Sequence, residues 1–302
     1  MKTITSKRHF IQFYGILIFL TLLFGGIGTL LLIEGIKDAL LGVIFCYSFV
    51  AWVVFSFFKN APKIILNEQT IQFRKQFFSL NNLEEIKLTG KNGSRNLLFM
   101  YMESTKLIFK DGTEKVIFDN MYANSAEIKS FLKQAVIDKQ EYKPYRIAKI
   151  DKNTIQFEPE EHFKGSLFFS FREIMLWGFI ILLGYLLFFK ANSNSPFVFI
   201  GILGLFWFVF HSWMMCYFGL TKKYLIVRNH HFIWWVKVYK FSDIHEIVYE
   251  AYPRGPNCMR IITKDFKSKL YRAGTLKDKT WLDLMVKLQA NGVEVRNECI
   301  YG

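Results

Sequence analysis

Cysteine is scarce in this sequence and follows no pattern: Cys46, Cys216, Cys258 and Cys299 share no paired spacing. Without such spacing neither a zinc ligand set nor a disulfide framework is readable, and isolated thiols fit a reducing compartment such as the cytoplasm. The common signatures of chemistry are missing too, with no G-x-x-x-x-G-K-[ST], H-E-x-x-H or G-x-S-x-G run anywhere. With no nucleophile, acid–base pair or ligand set to name, the sequence predicts a non-enzymatic protein with no cofactor and no metal.

Charge is absent from long stretches. Of 302 residues 52% are hydrophobic, 33 are phenylalanine and 21% are charged. Such apolar and charged populations coexist in one chain when they occupy different solvents. The net charge of +14 is carried almost wholly by the polar regions. A basic surface of this kind attracts anionic lipid headgroups, and nucleic acid is not expected as a partner.

Phe10 to Ile33 holds no charged residue over 24 positions. At about 1.5 Å per residue that exceeds the roughly 30 Å hydrocarbon thickness of a bilayer. The run is long for the apolar core of a signal peptide, so it reads as an uncleaved helix. After a short polar break, Ala39 to Phe58 forms a second charge-free stretch, closing a helical hairpin. A second hairpin is expected from helices at about 172–189 and 196–220, with His211 and Ser212 interrupting the fourth helix. Lys7-Arg8, Lys59, Lys63 and Lys222-Lys223 flank the ends that face the polar domains, whereas the hairpin loops carry only Lys37 and Lys190. The positive-inside rule then places both termini and both polar domains in the cytoplasm, on the inner face of a bacterial cytoplasmic membrane.

The two polar halves match in pattern. Lys63 to Leu88 lies over Tyr224 to Tyr249 without gaps at an offset of 161, pairing Leu66 with Val227, Ile71 with Phe232, Phe78 with Tyr239 and Ile86 with Ile247. Further on, Lys110-Asp111 matches Lys264-Asp265 at an offset of 154. In the first copy, short runs at Ile64–Leu66, Thr70–Phe77, Leu83–Leu88, Leu97–Met102, Lys106–Phe109 and Glu114–Phe118 predict a meander of about six strands. Asp111-Gly112 supplies a hairpin turn. From Ser125 the period becomes helical, with Ile128, Phe131, Leu132, Ala135 and Val136 on one face and Asn124 or Ser125 as N-cap. In the second copy Trp281, Leu282, Leu284, Met285 and Leu288 do the same before Asn291-Gly292.

The opening strand Leu66-Asn67-Glu68…Ile71, the Leu80…Leu83-Glu84-Glu85-Ile86 pattern and its second copy Phe241-Ser242-Asp243-Ile244…Ile247 resemble bacterial membrane proteins that carry pleckstrin-homology-like (PH-like) domains beside a helical hairpin. Tyr145 to Phe163, with Ile155-Gln156-Phe157, looks like the lead-in of YcxB-like proteins. The resemblance implies a membrane α + β fold. It comprises four transmembrane helices in two hairpins, each followed by a small PH-like antiparallel β domain capped by a C-terminal helix. The boundaries it implies are 1–60 for the first hairpin, 61–141 for the first domain, 142–166 for a β-rich linker, 167–220 for the second hairpin and 221–302 for the second domain. It brings no catalytic residues with it.

Few residues stand out as sites. His230, His231, His245 and Cys258 match no ligand spacing and read as surface residues. Trp234-Trp235, Lys237, Tyr239 and Lys240 interleave aromatics and cations, with one strand face assigned to the core and the exposed remainder read as an ordinary solvated strand. Trp235, Lys237, Arg254 and Arg260 are the candidate surface or partner contacts, and His211 is the candidate polar contact inside the membrane. Two functions remain open. One is a scaffold or regulator whose tandem domains bind a protein, self-associate or touch the inner leaflet; the other is an accessory subunit of a transporter or channel. A lipid-modifying enzyme comes third, lacking a catalytic group that can be named.

Overall fold

A computed structural model describes residues 3–33, 40–93, 101–148, 150, 159–166, 169–190, 197–251 and 255–300. It is a mixed α/β structure with several antiparallel sheets, divided into two compact units, Met1–Arg146 and Ile147–Gly302. Among the described residues three helices are long and apolar enough to cross a membrane: Phe10–Ile33, Leu40–Asn60 and Phe171–Phe188. A fourth apolar helix falls short of that length.

In the first unit, strand β1 (Ile4–Thr5) comes before the helices. A π-helical turn at Phe10–Gly15 leads into α1 (Ile16–Ile33), and α2 (Leu40–Asn60) returns. Three strands follow, β2 (Ile64–Leu66), β3 (Thr70–Phe73) and β4 (Gln76–Ser79), and the sheet order is β1-β2-β3-β4. The helical pair is therefore inserted between the first two strands of a sheet. A 3₁₀ turn at Leu80–Asn82 opens the second sheet, made of β5 (Leu83–Lys87), β6 (Lys91–Gly93), β7 (Tyr101–Phe109) and β8 (Glu114–Phe118). In it β5 and β6 follow one another along one edge of β7 and β8 takes the other. Helix α3 (Ser125–Leu132) closes the unit with Ile128, Phe131 and Leu132 buried. Phe13, Val53 and Phe57 from the helices share one core with Leu66, Ile71, Leu107 and Phe131, so the strand-side ends of the helices are packed into the β core.

The second unit follows the same order of elements as far as the start of its second sheet. Strand β9 (Glu161–Phe163) precedes α4 (Phe171–Tyr185), which a π-helical turn extends through Lys190. After α5 (Phe197–Trp213) come β10 (Cys216–Leu220), β11 (Tyr224–Asn229) and β12 (Val236–Lys240), in the sheet order β9-β10-β11-β12. A 3₁₀ turn at Phe241–Asp243 opens the sheet of β13 (Ile244–Ala251), β14 (Asn257–Thr263) and β15 (Ser268–Arg272). Helix α6 (Asp278–Ala290) packs Trp281, Leu284 and Leu288 inward and ends at Asn291, beyond which Gly292 takes φ +74°. A final strand, β16 (Val295–Asn297), runs parallel to β13.

Several expectations need correction. The helical pairs do not simply precede the β domains: Ile4–Thr5 and Glu161–Phe163, placed outside the domains from sequence, are edge strands of the first sheets. The fourth helix does not run to Leu220 but stops at Trp213, and Cys216–Leu220 is a strand. An unbroken apolar run reads alike for a buried strand and a buried helix, which hid the boundary. Thr70–Phe77 is a hairpin with Arg74 at φ 55° in its turn, not one strand. Tyr101–Phe109 is one strand where two had been expected, and residues 97–100 of the predicted run lie outside the described residues.

The gapless register between the halves also fails in its first part. Leu66 pairs with Ile71 and Leu220 pairs with Leu225, so these strands correspond at an offset of 154. From β4 onward the offset is 161: Phe78 opposes Ile71, and Tyr239 opposes Leu225. The second unit thus carries seven more residues between the paired positions Val227 and Lys237 than the first has between Phe73 and Gln76, because β11 and β12 run on and a six-residue turn joins them, and it loses the same number again between β13 and β14. The Asp111-Gly112 turn behaves as expected, with Gly112 at φ +77°; Phe266 at φ 57° fills the matching place in the second unit.

Candidate functional site at the helix–strand junctions

The end of a helical pair where the chain returns to the sheet is a demanding place. The last carbonyls of the second helix lack intrahelical partners and carry the negative end of the helix dipole. In the first unit they meet arginines. Arg74 donates from Nη2 to the Phe58 carbonyl at 2.5 Å, and Arg8 donates from Nε to the Ala61 carbonyl at 3.0 Å. The Arg8 guanidinium also lies over the rings of Phe58 and Phe13, at 4.7 and 5.1 Å. The Tyr122 hydroxyl donates to the Pro62 carbonyl at 2.7 Å. Asn124 caps nothing with its side chain; it accepts from Lys7 N and donates to the Thr5 carbonyl, which ties β1 to the start of α3.

The second unit solves the same problem with a buried polar chain. Ser170 caps α4 by accepting from Glu173 N at 3.2 Å, one half of a capping box. The Glu173 side chain does not reach back to complete it. Its Oε1 meets His231 Nε2 at 3.0 Å, and His231 Nδ1 meets Ser212 Oγ at 2.9 Å. A neutral imidazole satisfies both bonds at once, with Nε2–H donating to the carboxylate and Nδ1 accepting from the hydroxyl. Burial pushes the His231 imidazole below its ordinary value, in keeping with that neutral form. The Glu173 side chain is 1% exposed and that of His231 11%, so the chain of bonds is closed to solvent. Phe208 stacks on the His231 ring at 5.5 Å and Trp177 lies 6.4 Å away. Asn229 completes the clasp: Nδ2 donates to the Ser212 carbonyl at 2.7 Å, while Oδ1 accepts from the backbone N–H groups of His231 and Phe232.

Serine, histidine and a carboxylate in a hydrogen-bonded row suggest nucleophilic chemistry, but the setting opposes it. Ser212 is fully buried in the last turn of α5. Helix carbonyls gather there, and their partial negative charge disfavours the oxyanion that acyl transfer would create. What the row can do is hold α4, α5 and the β11–β12 turn together.

The remaining sequence candidates are dispersed. His230 and His231 are not surface residues of a strand but part of the turn after β11; His230 lies against the Tyr217 ring at 4.6 Å, and its Nε2 is 3.3 Å from Thr275 Oγ1. Burial lowers its imidazole to about 4. Trp235 belongs to this turn as well and packs edge-on against Tyr271 at 5.8 Å, which removes most of it from any surface role. Lys237 is exposed on β12. Arg260 is no surface contact: it is 4% exposed and pairs with Glu250 at 2.7 Å and with Ser268 Oγ at 3.0 Å, because β14 is covered on both faces. Arg254 lies outside the described residues.

His211 is buried on α5 with its ring 4.2 Å from Trp207, and its Nδ1 has no hydrogen-bond partner among the described residues. His245 packs against Phe266, with ring centroids 5.3 Å apart. Burial pushes the Cys216 and Cys258 thiols up to about 12, which keeps them protonated and poorly nucleophilic. Among the described residues no group of three or more His, Cys, Asp or Glu side chains could hold a metal ion.

Sequence reasoning named Ser212 and His231 separately, did not single out Glu173, and joined none of them. The Ser170–Glu173 capping pattern at the mouth of an apolar run could have marked the start of α4, but it carries no signal toward His231. No protein-family model matches the chain, and no curated protein sequence matches it.

Proposed function

We propose that the chain is a multi-pass protein of a bacterial cytoplasmic membrane. In this reading four helices cross the bilayer in two hairpins, and two PH-like β units, an internal duplication, stand on its cytoplasmic side. The units act without catalysis, as a scaffold or regulatory module for a protein partner, for a second copy or for the inner-leaflet surface.

The observation that carries this reading is the insertion of each helical pair between the first two strands of a sheet, with the helix ends clasped by side chains of the same unit. A β unit so built cannot swing away from the bilayer as a tethered domain would. Its surface is held at a fixed height over the membrane, which suits presentation of a binding face. Two four-stranded sheets with a C-terminal helix, in each unit, support the PH-like assignment.

Labelling tests the topology. Glu114→Cys and Lys269→Cys, both at exposed positions, should resist a membrane-impermeant thiol reagent in intact cells and react once the membrane is opened. Reaction of one but not the other in intact cells would put the two β units on opposite sides and end the reading.

His211 favours a second reading, an accessory subunit of a transporter or channel, because a buried imidazole with an unpaired nitrogen in an apolar helix is costly unless used. His211→Phe should abolish any associated flux in reconstituted vesicles; unchanged flux removes this reading's support.

A further inference from the structure

We propose that the turn between β11 and β12 is a membrane-interface anchor, whose Ile233 and Trp234 side chains enter the boundary between headgroups and acyl chains of the bilayer. The inference rests on the membrane-spanning reading above and names one surface to which the second unit is applied. Ile233 is 77% and Trp234 71% exposed. They sit at the tip of the six-residue turn that stands where the first unit has the two-residue turn Arg74-Lys75. Where the first unit has two cations, the second offers water an isoleucine and a tryptophan, with the Phe232 ring 5.7 Å from that of Trp234.

The helices set the height of this tip. His231, two residues before Ile233, is bonded to Glu173 in the first turn of α4 and to Ser212 in the last turn of α5. The turn is therefore level with the ends of both helices, where exposed apolar side chains such as Phe171 and Trp213 mark the edge of the lipid-facing surface. Of the seven tryptophans in the chain, Trp177, Trp207, Trp213, Trp234 and Trp235 all belong to these two helices or this turn. Trp213, in the last turn of α5, and Trp234 stand at this level, while Trp177 and Trp207 lie about 9 Å further along their helices. A tryptophan at the helix end beside one at the turn tip is the pattern of an interfacial aromatic belt, where an amphipathic ring has its apolar body in lipid and its N–H among headgroups. Lys237 and Arg272, the latter stacked over Trp213 at 4.2 Å, put cations beside the tip to meet lipid phosphates.

The test uses the full chain with Cys299→Ser, reconstituted in vesicles of mixed zwitterionic and anionic phospholipid. Nitroxide labels are placed singly at Ile233→Cys, at Leu205→Cys on the exposed face of α5, and at Lys279→Cys on the exposed face of α6. Collision with oxygen, which concentrates in lipid, is compared with collision with a water-soluble nickel chelate. The expected result is oxygen-dominated relaxation at 233 and 205 and nickel-dominated relaxation at 279, with 233 the shallower of the two lipid sites. A label at 233 that relaxes like 279 while 205 stays in lipid overturns the anchor and leaves the spanning helices intact. Shielding of 233 from both reagents would also overturn it, in favour of a protein contact. If 205 too behaves like 279, the membrane reading itself falls.

Discussion

The two junctions between helical pair and sheet face one problem and answer it with opposite chemistry. In the first unit, cations donate to the carbonyls at the end of α2, and Arg74 does so from an exposed two-residue turn. In the second, a buried carboxylate, imidazole and hydroxyl run in a row from α4 to α5, the imidazole supplied by a six-residue turn. The difference shows what the added length does. A short turn can only extend a long side chain toward the helix, whereas the longer one brings its backbone to the helices and buries His231 between them. Exposed contacts are screened and worth little, while buried polar rows are costly when broken. The second junction should therefore be the more rigid and the more sensitive to substitution.

His231→Phe puts that contrast to its hardest test. It leaves Glu173 buried without its partner, and removing one member of a buried pair should cost about 3 kcal/mol, read as a large fall in the unfolding midpoint of the purified protein. Glu173→Leu combined with His231→Phe should recover most of the loss, since it removes the buried carboxylate along with its partner and leaves only the Ser212 hydroxyl to find a new acceptor. If the single substitution costs no more than an exposed arginine does, the contrast between the junctions is wrong.

Next in size is Gly219→Ala. The position corresponds to Ile65 in the first unit, which pairs with Gln72 as Gly219 pairs with Ile226. A methyl group there would lie 1.8 Å from Glu160 Oε1. That carboxylate accepts from Arg228 at 3.1 and 2.8 Å, so the substitution displaces it from a two-bond ion pair. A loss of about 1–3 kcal/mol is the usual scale for such overpacking. The reverse change in the first unit, Ile65→Gly, should leave the Arg8 and Arg74 contacts in place, and mapping both variants by hydrogen exchange would show whether each junction responds only to its own sheet.

Much of the architecture was legible because periodicity reports burial directly. Ile128, Phe131 and Leu132 in α3, and Trp281, Leu284 and Leu288 in α6, repeat at helical spacing and are buried as that spacing requires. Asp111-Gly112 announced its turn through the one residue that takes φ +77° without strain. What stayed hidden depended on long-range pairing. Ile4–Thr5 and Glu161–Phe163 are too short to carry a pattern and are strands only because β2 and β10 lie beside them. The end of α5 was lost inside an apolar run that changes from helix to strand near Met214 without changing composition. The site was less legible still. Glu173 and His231 are 58 residues apart, and no local rule couples a helix-capping glutamate to a histidine in a distant turn.

Acid should affect the second unit through its buried imidazoles. Burial lowers His230 to about 4 and holds His231 below its ordinary value, so the folded state keeps both neutral while the unfolded chain takes up protons more readily. Stability from this source is intact above the ordinary imidazole value near 6.5, declines as pH falls, and is fully lost below about 4 for His230. Unfolding midpoints between pH 7 and 5 should fall with decreasing pH in the wild type. The fall should be shallower with His230→Gln, and an unchanged slope would mean that His230 is solvated in the folded protein.

The smallest effect separates two roles of one residue. Arg74 has φ 55° in the β3–β4 turn and also donates to the end of α2. The first role costs energy for any side chain with a Cβ, on the order of 1 kcal/mol, and the second returns about 0.5 kcal/mol as a cation at a helix C-terminus. Arg74→Ala keeps the strained conformation and loses the contact, so it should destabilise by about 0.5 kcal/mol. Arg74→Gly loses the contact but removes the strain, and should be more stable than the alanine variant by about 1 kcal/mol. Raising the salt concentration should narrow the gap between wild type and alanine, because an exposed cation is screened, and leave the gap between alanine and glycine unchanged. Equal stability of the two variants would show that the turn relaxes away from its left-handed conformation once the guanidinium no longer reaches the helix, so that the helix end shapes the turn.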